Sequence, residues 1–361
     1  MQKEIPKALE SHEWRYFLSP RATWDAMYAD CAAAEASIDM EQYIFENDET
    51  GEKFMELFIL KAKAGIKVSL LIDKVGSASF YFSPLLDEFR KAGGIMRFYN
   101  SPRLLDIFKP RRFFPRTHIK AMVVDSSILY IGGVCLAKRM ENWRDTQIRI
   151  TGPVVRPAGQ ALERNRGMRK ASDVAAQNPD SDFLYIQSEP RFFRHPIYMA
   201  MVDAVKNARK FVYISQAIFI PTRRLRRALY RAAARGVEVI VLVPLHSDVP
   251  VADWAGLSYA RRLLRNRVRL YHYMPTVLHN KIIMTDDGWG MIGSANMDAL
   301  SFFHNREANV IIRNETALAE MKQDFLNDLR QSREFTLKLL REIPLWKRAA
   351  AYLARLFRAI L

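Results

Sequence analysis

The sequence lacks several features that mark particular classes of protein. It has only two cysteines, Cys31 and Cys135, so we expect no disulfide framework, which fits a reducing cytosol. It contains no run of about twenty apolar residues, so we expect no transmembrane helix. The first residues, MQKEIPKALE, lack the apolar core of a signal peptide. These absences predict a chain that works in the cytoplasm and does not span a membrane.

Acidic residues are few relative to basic ones. The chain has 55 Lys and Arg against 39 Asp and Glu, which gives a formal net charge of +16. Such a surface attracts anionic membranes and nucleic acids alike. Charge alone therefore leaves both kinds of partner open.

The most informative pattern is His-x-Lys-x-x-x-x-Asp, which occurs twice. The two copies are His118, Lys120 and Asp125, and His279, Lys281 and Asp286. Each copy reads as a buried strand and a turn, followed by a second apolar strand that ends in small residues. Side chains two apart on a strand share a face, so each histidine lies beside its lysine. Two such pairs can surround one phosphate, and the pattern therefore predicts phosphoryl chemistry.

The two halves of the chain repeat one another beyond these motifs. IDMEQYIF (38–45) matches VYISQAIF (212–219), which aligns Gln42 with Gln216. Each half is predicted to run helix, strand, helix, strand, and then a helical stretch before the motif hairpin, which favours an α/β fold. The predicted divisions are an N-terminal domain over residues 1–170, a polar linker over 171–182, a C-terminal domain over 183–335 and an amphipathic basic helix over 336–361.

Two such motifs in one chain resemble the phospholipase D superfamily, and the similarity extends over nearly the whole chain. The segments at 141–153 and 279–302 resemble those of bacterial cardiolipin synthases, and the chain looks like the shorter members that lack N-terminal membrane spans. The resemblance implies two similar α/β domains, each with a central mixed sheet flanked by helices. It also implies a pseudo-twofold axis between them and one cleft that holds both motif histidines.

The resemblance further implies a covalent mechanism. One motif histidine attacks phosphorus to form a phosphohistidine, while the other protonates the departing alcohol and deprotonates the incoming one. Lys120 and Lys281 would hold the non-bridging oxygens as charge builds. Further phosphate-binding groups are expected at Gly133, Ser294 and Asn296. We expect no metal or other cofactor, since two ammonium groups already supply positive charge.

Four acidic residues complete the predicted site. Asp125 and Asp286 belong to the motifs but lie at the hairpin turns, so we assign them a structural role. The family uses an acidic residue beyond the glycine turn to fix the second nitrogen of the histidine ring. By that resemblance, Asp145 and Glu307 are the orienting carboxylates, with surface charges as the alternative interpretation.

One position departs from the family pattern. Cys135 stands where an asparagine is usual, and it aligns with Asn296 of the second half. We interpret Cys135 as a small packing residue rather than a reactive thiol. The first half is therefore expected to hold phosphate less well, which would bias the roles of the two histidines or change the acceptor alcohol.

Two segments combine apolar and basic side chains as membrane contacts do. From Pro344 onward the apolar residues fall at helical spacing, which predicts a helix in a membrane interface or, alternatively, a helix packed on its own domain. The segment over 104–116 could dock on an anionic bilayer, bind a nucleic acid strand or form an ordinary loop. The candidate membrane contacts are Arg111, Arg112, Phe113, Phe114, Trp346, Arg355 and Phe357.

The leading hypothesis is a phosphatidyltransferase that makes cardiolipin from phosphatidylglycerol, or from phosphatidylglycerol and another hydroxyl-bearing phospholipid. A phospholipase D-type hydrolase shares every catalytic residue and is the nearest alternative. A nucleic-acid phosphodiesterase is less favoured, because simple nucleases of the superfamily usually carry one motif, and nucleic acid is not expected as a partner. A lipid-binding protein with a decayed site conflicts with two intact His–Lys pairs. We expect a peripheral location on the cytoplasmic face of the bacterial inner membrane, and the sequence leaves the oligomeric state open.

Overall fold

The chain forms two compact units, residues 1–185 and 186–361. The computed structural model describes residues 12–100, 115–167, 177–190 and 195–357. Residues 171–176 of the predicted linker therefore lie outside the described residues. The first strand of the second sheet, Phe183–Ser188, crosses the division between the two units.

The first unit contains a seven-stranded sheet with the order β1-β7-β6-β5-β2-β3-β4. Its strands are β1 (Trp14–Phe17), β2 (Ser37–Gln42), β3 (Lys67–Asp73), β4 (Ile95–Tyr99), β5 (Lys120–Val124), β6 (Ile128–Gly132) and β7 (Gln147–Thr151). Its helices are α1 (Pro20–Ala33), α2 (Glu49–Lys63), α3 (Pro84–Lys91) and α4 (Val155–Asn165). Strands β2, β3 and β4 run parallel, while β5, β6, β7 and β1 pair antiparallel with their neighbours.

The second unit repeats this arrangement in an eight-stranded sheet with the order β15-β11-β10-β9-β12-β13-β14-β8. Its strands are β8 (Phe183–Ser188), β9 (Phe211–Gln216), β10 (Glu238–Pro244), β11 (Arg269–Tyr273), β12 (Lys281–Thr285), β13 (Trp289–Gly293), β14 (Glu307–Ile312) and β15 (Ser332–Phe335). Its helices are α5 (Pro196–Asn207), α6 (Arg223–Ala234), α7 (Pro250–Arg265), α8 (Ala299–Phe303), α9 (Glu315–Arg330), α10 (Leu337–Glu342) and α11 (Leu345–Ala354).

Each motif strand lies in the middle of its sheet and is buried along its whole length. In the first unit, Met122 and Val124 of β5 belong to the apolar cluster formed with α1 and α2. Val123 points to the other face, where it meets Gly159 of α4. Because helices cover both faces, these strands are continuously apolar rather than alternating. The predicted α/β class with two similar domains is confirmed, and β15 is the strand of the second sheet without a counterpart among the described residues.

Two aligned glycines show how the repeat is built. Gly65 follows α2 and Gly236 follows α6, and both have positive φ, 84° and 90°. A left-handed residue there ends the helix and turns the chain into the next strand, which glycine does without steric cost. Strands β4 and β11 were not predicted, because each follows the third helix of its half, where only a helical stretch was expected.

The prediction of a single helix over 336–361 was wrong. The described part of this segment forms two helices, α10 and α11, with Ile343 and Pro344 between them. Proline lacks the backbone N–H that a helix interior needs and pushes the preceding residue out of helical conformation, so the first helix ends there. The second helix packs on α7 through Ala351 and Ala354, which are buried.

Candidate active site

The first motif places its histidine and lysine at the edge of the sheet where β2 ends. Lys120 opens β5 and pairs in register with Gln42, the last residue of β2. Its Nζ lies 2.7 Å from the backbone oxygen of His118 and donates to it. Tyr43 completes the group, because its ring lies 4.8 Å from the His118 ring and 5.0 Å from the Lys120 ammonium. The predicted pair is therefore brought together, and Tyr43 is a neighbour that the sequence analysis did not identify.

The second motif repeats this geometry with one change. Lys281 opens β12, pairs in register with Gln216 and donates from Nζ to the backbone oxygen of His279. Both lysines and both histidines are buried. At the position of Tyr43 the second unit has Ala217, whose methyl group cannot cover the histidine. The two sites thus share their charged groups and differ in how closely their surroundings are packed.

The motif aspartates bind backbone. Asp125 accepts hydrogen bonds from the N–H groups of Glu35, Ala36 and Ser37 at 2.8–2.9 Å. Asp286 accepts them from Arg209 and Phe211 at 2.9 and 3.1 Å. Such bonds tie each hairpin turn to the loop that precedes the neighbouring strand, as the predicted structural role requires.

The same hydrogen bonds set the charge state of these two aspartates. Partial burial acts to raise the pKa of each carboxyl group, but the backbone N–H donors outweigh it and lower the pKa of Asp125 and of Asp286. Both side chains are therefore held as carboxylates at neutral pH.

The two predicted orienting carboxylates lie beside the small residues that end β6 and β13. A Cβ atom on Gly133 would come within 2.1 Å of Asp145 Oδ1, so only glycine admits the carboxylate so close. In the second unit the longer Glu307 faces Ser294, whose Oγ donates to it at 2.5 Å. Ser294 was predicted to bind phosphate, but here its hydroxyl proton is directed to Glu307. The shorter carboxylate, Asp145, therefore faces a glycine, and the longer one, Glu307, faces a serine that donates a hydrogen bond to it.

Unsatisfied amide groups mark the second site. The side-chain nitrogen and oxygen of Gln216 are buried without a hydrogen-bond partner among the described residues, as are Asn280 Nδ2, Asn296 Oδ1 and Asn309 Nδ2. Buried polar groups normally have partners, so such a cluster indicates a place for substrate or water. In the first unit the equivalent Gln42 is satisfied, because its Nε2 donates to Val134 at 3.2 Å. Of these residues only Asn296 was predicted to belong to the site, although the alignment of Gln42 with Gln216 could have indicated Gln216 as well.

Cys135 occupies the position equivalent to Asn296 and contributes packing. Its side chain is buried in a small apolar cluster with Ala137 and Met140. Its backbone oxygen accepts a hydrogen bond from Trp24 Nε1 at 2.9 Å. Burial raises the pKa of the other cysteine, Cys31, far above its ordinary value, so that thiol is inert near neutral pH.

The described residues cover only part of the predicted membrane contacts. Arg111, Arg112, Phe113 and Phe114 lie outside the described residues. Trp346 is exposed on α11, whereas the Arg355 guanidinium lies over the rings of Tyr259 and Tyr352. In the described ranges no helix is long and apolar enough to cross a bilayer, and no group of three or more metal-ligating side chains is present.

Comparison with known proteins identifies the family. The domain family described as "Cardiolipin synthase, PLD-like domain" matches residues 201–329, which contain the second motif. Cardiolipin synthase 1 of Staphylococcus epidermidis is 31% identical, over all of this chain and 76% of its own length. This chain belongs to the cardiolipin synthase family. The predicted superfamily, its cardiolipin synthase branch and the enzyme class are thereby confirmed.

A second cardiolipin synthase agrees with this assignment, and two solved structures share the fold. The major cardiolipin synthase ClsA of Bacillus subtilis is 29% identical over 94% of this chain and 74% of its own length. The fold resembles that of phosphatidylserine synthase from Haemophilus influenzae, with a TM-score of 0.73 and 13% identity over 96% of this chain and 95% of that one. It also resembles polyphosphate kinase from Porphyromonas gingivalis, with a TM-score of 0.64 and 13% identity over 97% of this chain and 54% of that one. At such low identity these two likenesses concern the fold alone.

Proposed function

We propose that this protein is a phosphatidyltransferase that makes cardiolipin from phosphatidylglycerol, or from phosphatidylglycerol and a second hydroxyl-bearing phospholipid. The observation that carries the proposal is the intact, buried His–Lys pair in both units of a cardiolipin synthase family member. Each pair is accompanied by a carboxylate near the end of the same hairpin, Asp145 or Glu307.

The reaction proceeds in two displacements at phosphorus. A ring nitrogen of one motif histidine attacks the phosphorus of phosphatidylglycerol, and the bond from phosphorus to the glycerol oxygen breaks. The other motif histidine gives its proton to the departing glycerol. It then takes the proton from the hydroxyl of a second phosphatidylglycerol, which attacks the phosphohistidine. This step forms cardiolipin and restores the first histidine.

The two lysines supply the fixed positive charge. Their side chains are 1% exposed, so the ammonium groups act in surroundings less polar than water. A preorganised charge in such surroundings stabilises the developing negative charge on the phosphoryl oxygens more than it would in water. The hydrogen bond from each Nζ to the preceding histidine keeps the charge next to the attacking or protonating ring.

The decisive experiment is a lipid assay. Purified protein is incubated with phosphatidylglycerol vesicles without added metal, and the products are identified by mass spectrometry, with the double variant His118→Ala/His279→Ala as control. Cardiolipin and free glycerol, absent with the variant, are the expected products. Phosphatidic acid without cardiolipin would make the protein a hydrolase. An unchanged lipid with this and other phospholipid donors would reject the proposal.

We further propose that α11 rests on the membrane surface. It packs on α7 through Ala351 and Ala354. The larger apolar side chains Leu345 and Leu353, together with Leu356 of the turn that follows the helix, are exposed. They recur at the spacing of one helix face, with Trp346 beside them. An apolar stripe of this kind on a basic protein suits an anionic bilayer interface.

A row of arginines adds to this affinity for anionic surfaces. Arg223, Arg224, Arg227 and Arg231 are exposed along one side of α6, and Lys206 of α5 lies against the same groove. None of the four arginines forms an ion pair with a described residue. Anionic lipid headgroups would neutralise this surface, and the attraction should weaken as ionic strength rises.

Replacing the apolar stripe should release the protein from vesicles. For Leu345→Gln, Leu353→Gln and Leu356→Gln combined, we expect binding to phosphatidylglycerol vesicles to weaken on the order of 10²-fold, because three leucines no longer leave water. Glutamine keeps helix propensity, so α11 should remain folded. Sedimentation with vesicles measures the effect. Leu60→Gln is the matched control, since Leu60 on α2 is as exposed as Leu353, 63% in both cases. Unchanged binding of the triple variant would contradict the membrane role of α11.

A further inference from the structure

An apolar cavity lies in the second unit between the sheet and α7. It is open to solvent on one side and has a volume of about 500 Å³, within the range of roughly 300–1,000 Å³ usual for small-molecule sites. Its apolar wall includes Phe219, Leu257, Leu263, Leu270, Phe335 and Ile343. The cavity is therefore large enough for a ligand, and its lining suits a hydrocarbon.

The cavity begins beside the second motif. Ala217 and Ile218 form part of its wall, directly after Gln216, the register partner of Lys281. The N–H of Ala217 donates at 3.0 Å to the backbone oxygen of Asn280, which lies between His279 and Lys281. A molecule whose phosphate is held by His279 and Lys281 therefore has the cavity within reach of its neighbouring atoms.

The two units differ at this point. In the first unit Tyr43 follows Gln42, which aligns with Gln216, and packs its ring on His118. In the second unit the corresponding residue is Ala217, which has no bulk beyond Cβ. The second unit therefore lacks the tyrosine ring that packs on the histidine of the first unit, and Ala217 lines the cavity instead.

The polar groups in the wall do not oppose an apolar occupant. Burial lowers the pKa of His272 to about 4, so its ring is neutral at physiological pH. Asp253 accepts the N–H of Ser247 at 2.9 Å and stays engaged with the protein. His246 and Ser247 lie at the end of β10, at the same edge of the sheet as the motif residues.

The cavity is also continuous with the exposed apolar surface of the unit. Leu245 and Trp254 line it and are themselves partly open to solvent. Ile343 lines it as well and lies next to Pro344, after which α11 and its apolar stripe begin. A hydrocarbon chain that leaves the bilayer at α11 would therefore meet apolar side chains as it enters the cavity.

We infer that this cavity receives one acyl chain of the phospholipid whose phosphate is bound at His279 and Lys281. The inference rests on the proposed function and deepens it, because it makes α7 and the end of β9 responsible for the preference for acyl chains of a given length. The second unit thus holds a phospholipid at two places, its headgroup phosphate and one of its acyl chains. Binding at both places draws the phosphodiester out of the bilayer surface.

The test is a change in chain-length preference. Leu257→Trp and, independently, Ile343→Phe place bulk in the cavity at half-buried positions. Rates are compared for dioleoyl- and dihexanoyl-phosphatidylglycerol in detergent micelles, so that vesicle binding does not contribute. Excluding about two methylenes weakens binding on the order of tenfold. We therefore expect the ratio of kcat/KM for the long to the short lipid to fall about tenfold in both variants.

The matched control is Val251→Trp, which places a tryptophan at an exposed position of α7 outside the cavity wall. Its ratio should stay at the wild-type value. An unchanged ratio in folded Leu257→Trp and Ile343→Phe, with an active wild-type protein, would overturn the acyl-chain assignment alone. Absence of any product from the wild-type protein with both lipids would instead reject the proposed function.

Photocrosslinking of the wild-type protein gives a second test that needs no substituted protein. Phosphatidylglycerol with a diazirine at the end of one acyl chain should label residues of α7, and unlabelled long-chain lipid should compete. Labelling confined to α11 during normal turnover would show that the tail stays at the membrane surface, which would also overturn the inference.

Discussion

Replacing either motif histidine by alanine is expected to lower kcat by about 10³-fold or more, because one variant loses the nucleophile and the other the proton donor. The substitutions are His118→Ala and His279→Ala. Both histidines are buried, and each lies beside a lysine whose Nζ donates a hydrogen bond to the histidine's backbone oxygen. Turnover of phosphatidylglycerol, measured by release of glycerol, checks the result.

The same two variants should reveal which histidine is the nucleophile. With a phosphodiester that carries a nitrophenol leaving group, protonation of the leaving group is no longer needed. The variant that lacks only the acid should then release a burst of nitrophenol and accumulate the covalent adduct, whereas the variant without the nucleophile should do neither. Mass spectrometry of the acid-quenched protein locates the adduct.

A suitable control is His304→Ala, which removes an exposed histidine near the second motif in the chain. Its activity should match that of the wild-type protein. Full activity in both His118→Ala and His279→Ala would contradict the catalytic assignment of these residues.

Neutralising Glu307 should have the second-largest effect. We expect Glu307→Gln to lower kcat by roughly 10²–10⁴-fold with little change in KM, the size of effect seen when an orienting carboxylate is lost from a histidine site. Glutamine keeps the length of the side chain and an oxygen that can accept the hydroxyl of Ser294. The charge is therefore removed while the packing is preserved, and Asp145→Asn makes the same test in the first unit.

The pH profile separates a positioning role from a structural one. A carboxylate near an imidazole stabilises its protonated form, so Glu307→Gln should lower the histidine pKa and move the acidic limb of kcat/KM to lower pH. Ser294→Ala is a graded comparison, because it removes only the hydroxyl that donates to the carboxylate, and its effect should be about tenfold or less. Equal losses of activity and thermal stability with an unchanged pH profile would assign Glu307 a structural role instead.

The two units differ in the residue that lies opposite the orienting carboxylate. Gly133 lies opposite Asp145, and Ser294 lies opposite Glu307. The first unit combines a short carboxylate with a residue that has no side chain, and the second combines a longer carboxylate with a hydroxyl that holds it. Either combination brings the carboxylate to the end of the motif hairpin. If only one residue of a pair were replaced by its counterpart from the other unit, the side chain and the carboxylate would either collide or leave a gap.

Local patterns were sufficient for the repeated α/β plan and for the two His–Lys pairs. Strand periodicity operates over a few residues, so residues 118 and 120, and likewise 279 and 281, could be placed together before any fold was known. The turn aspartates were recognised for the same reason. Helix spacing also grouped Leu345, Leu353 and Leu356, which are exposed in the structure.

Tertiary structure decided everything that depends on which strands and helices become neighbours. Gln216 meets Lys281 because β9 pairs with β12 in one register, and a register between strands more than sixty residues apart cannot be seen in either segment alone. The apolar stripe of α11 is exposed because two alanines on the other side of the helix pack against α7. Periodicity in the sequence does not specify which side of a helix packs against its neighbour. The acyl-chain cavity needs three separate features: an alanine after β9, a helix above the sheet and an isoleucine before Pro344. Only the folded chain brings them to the same place.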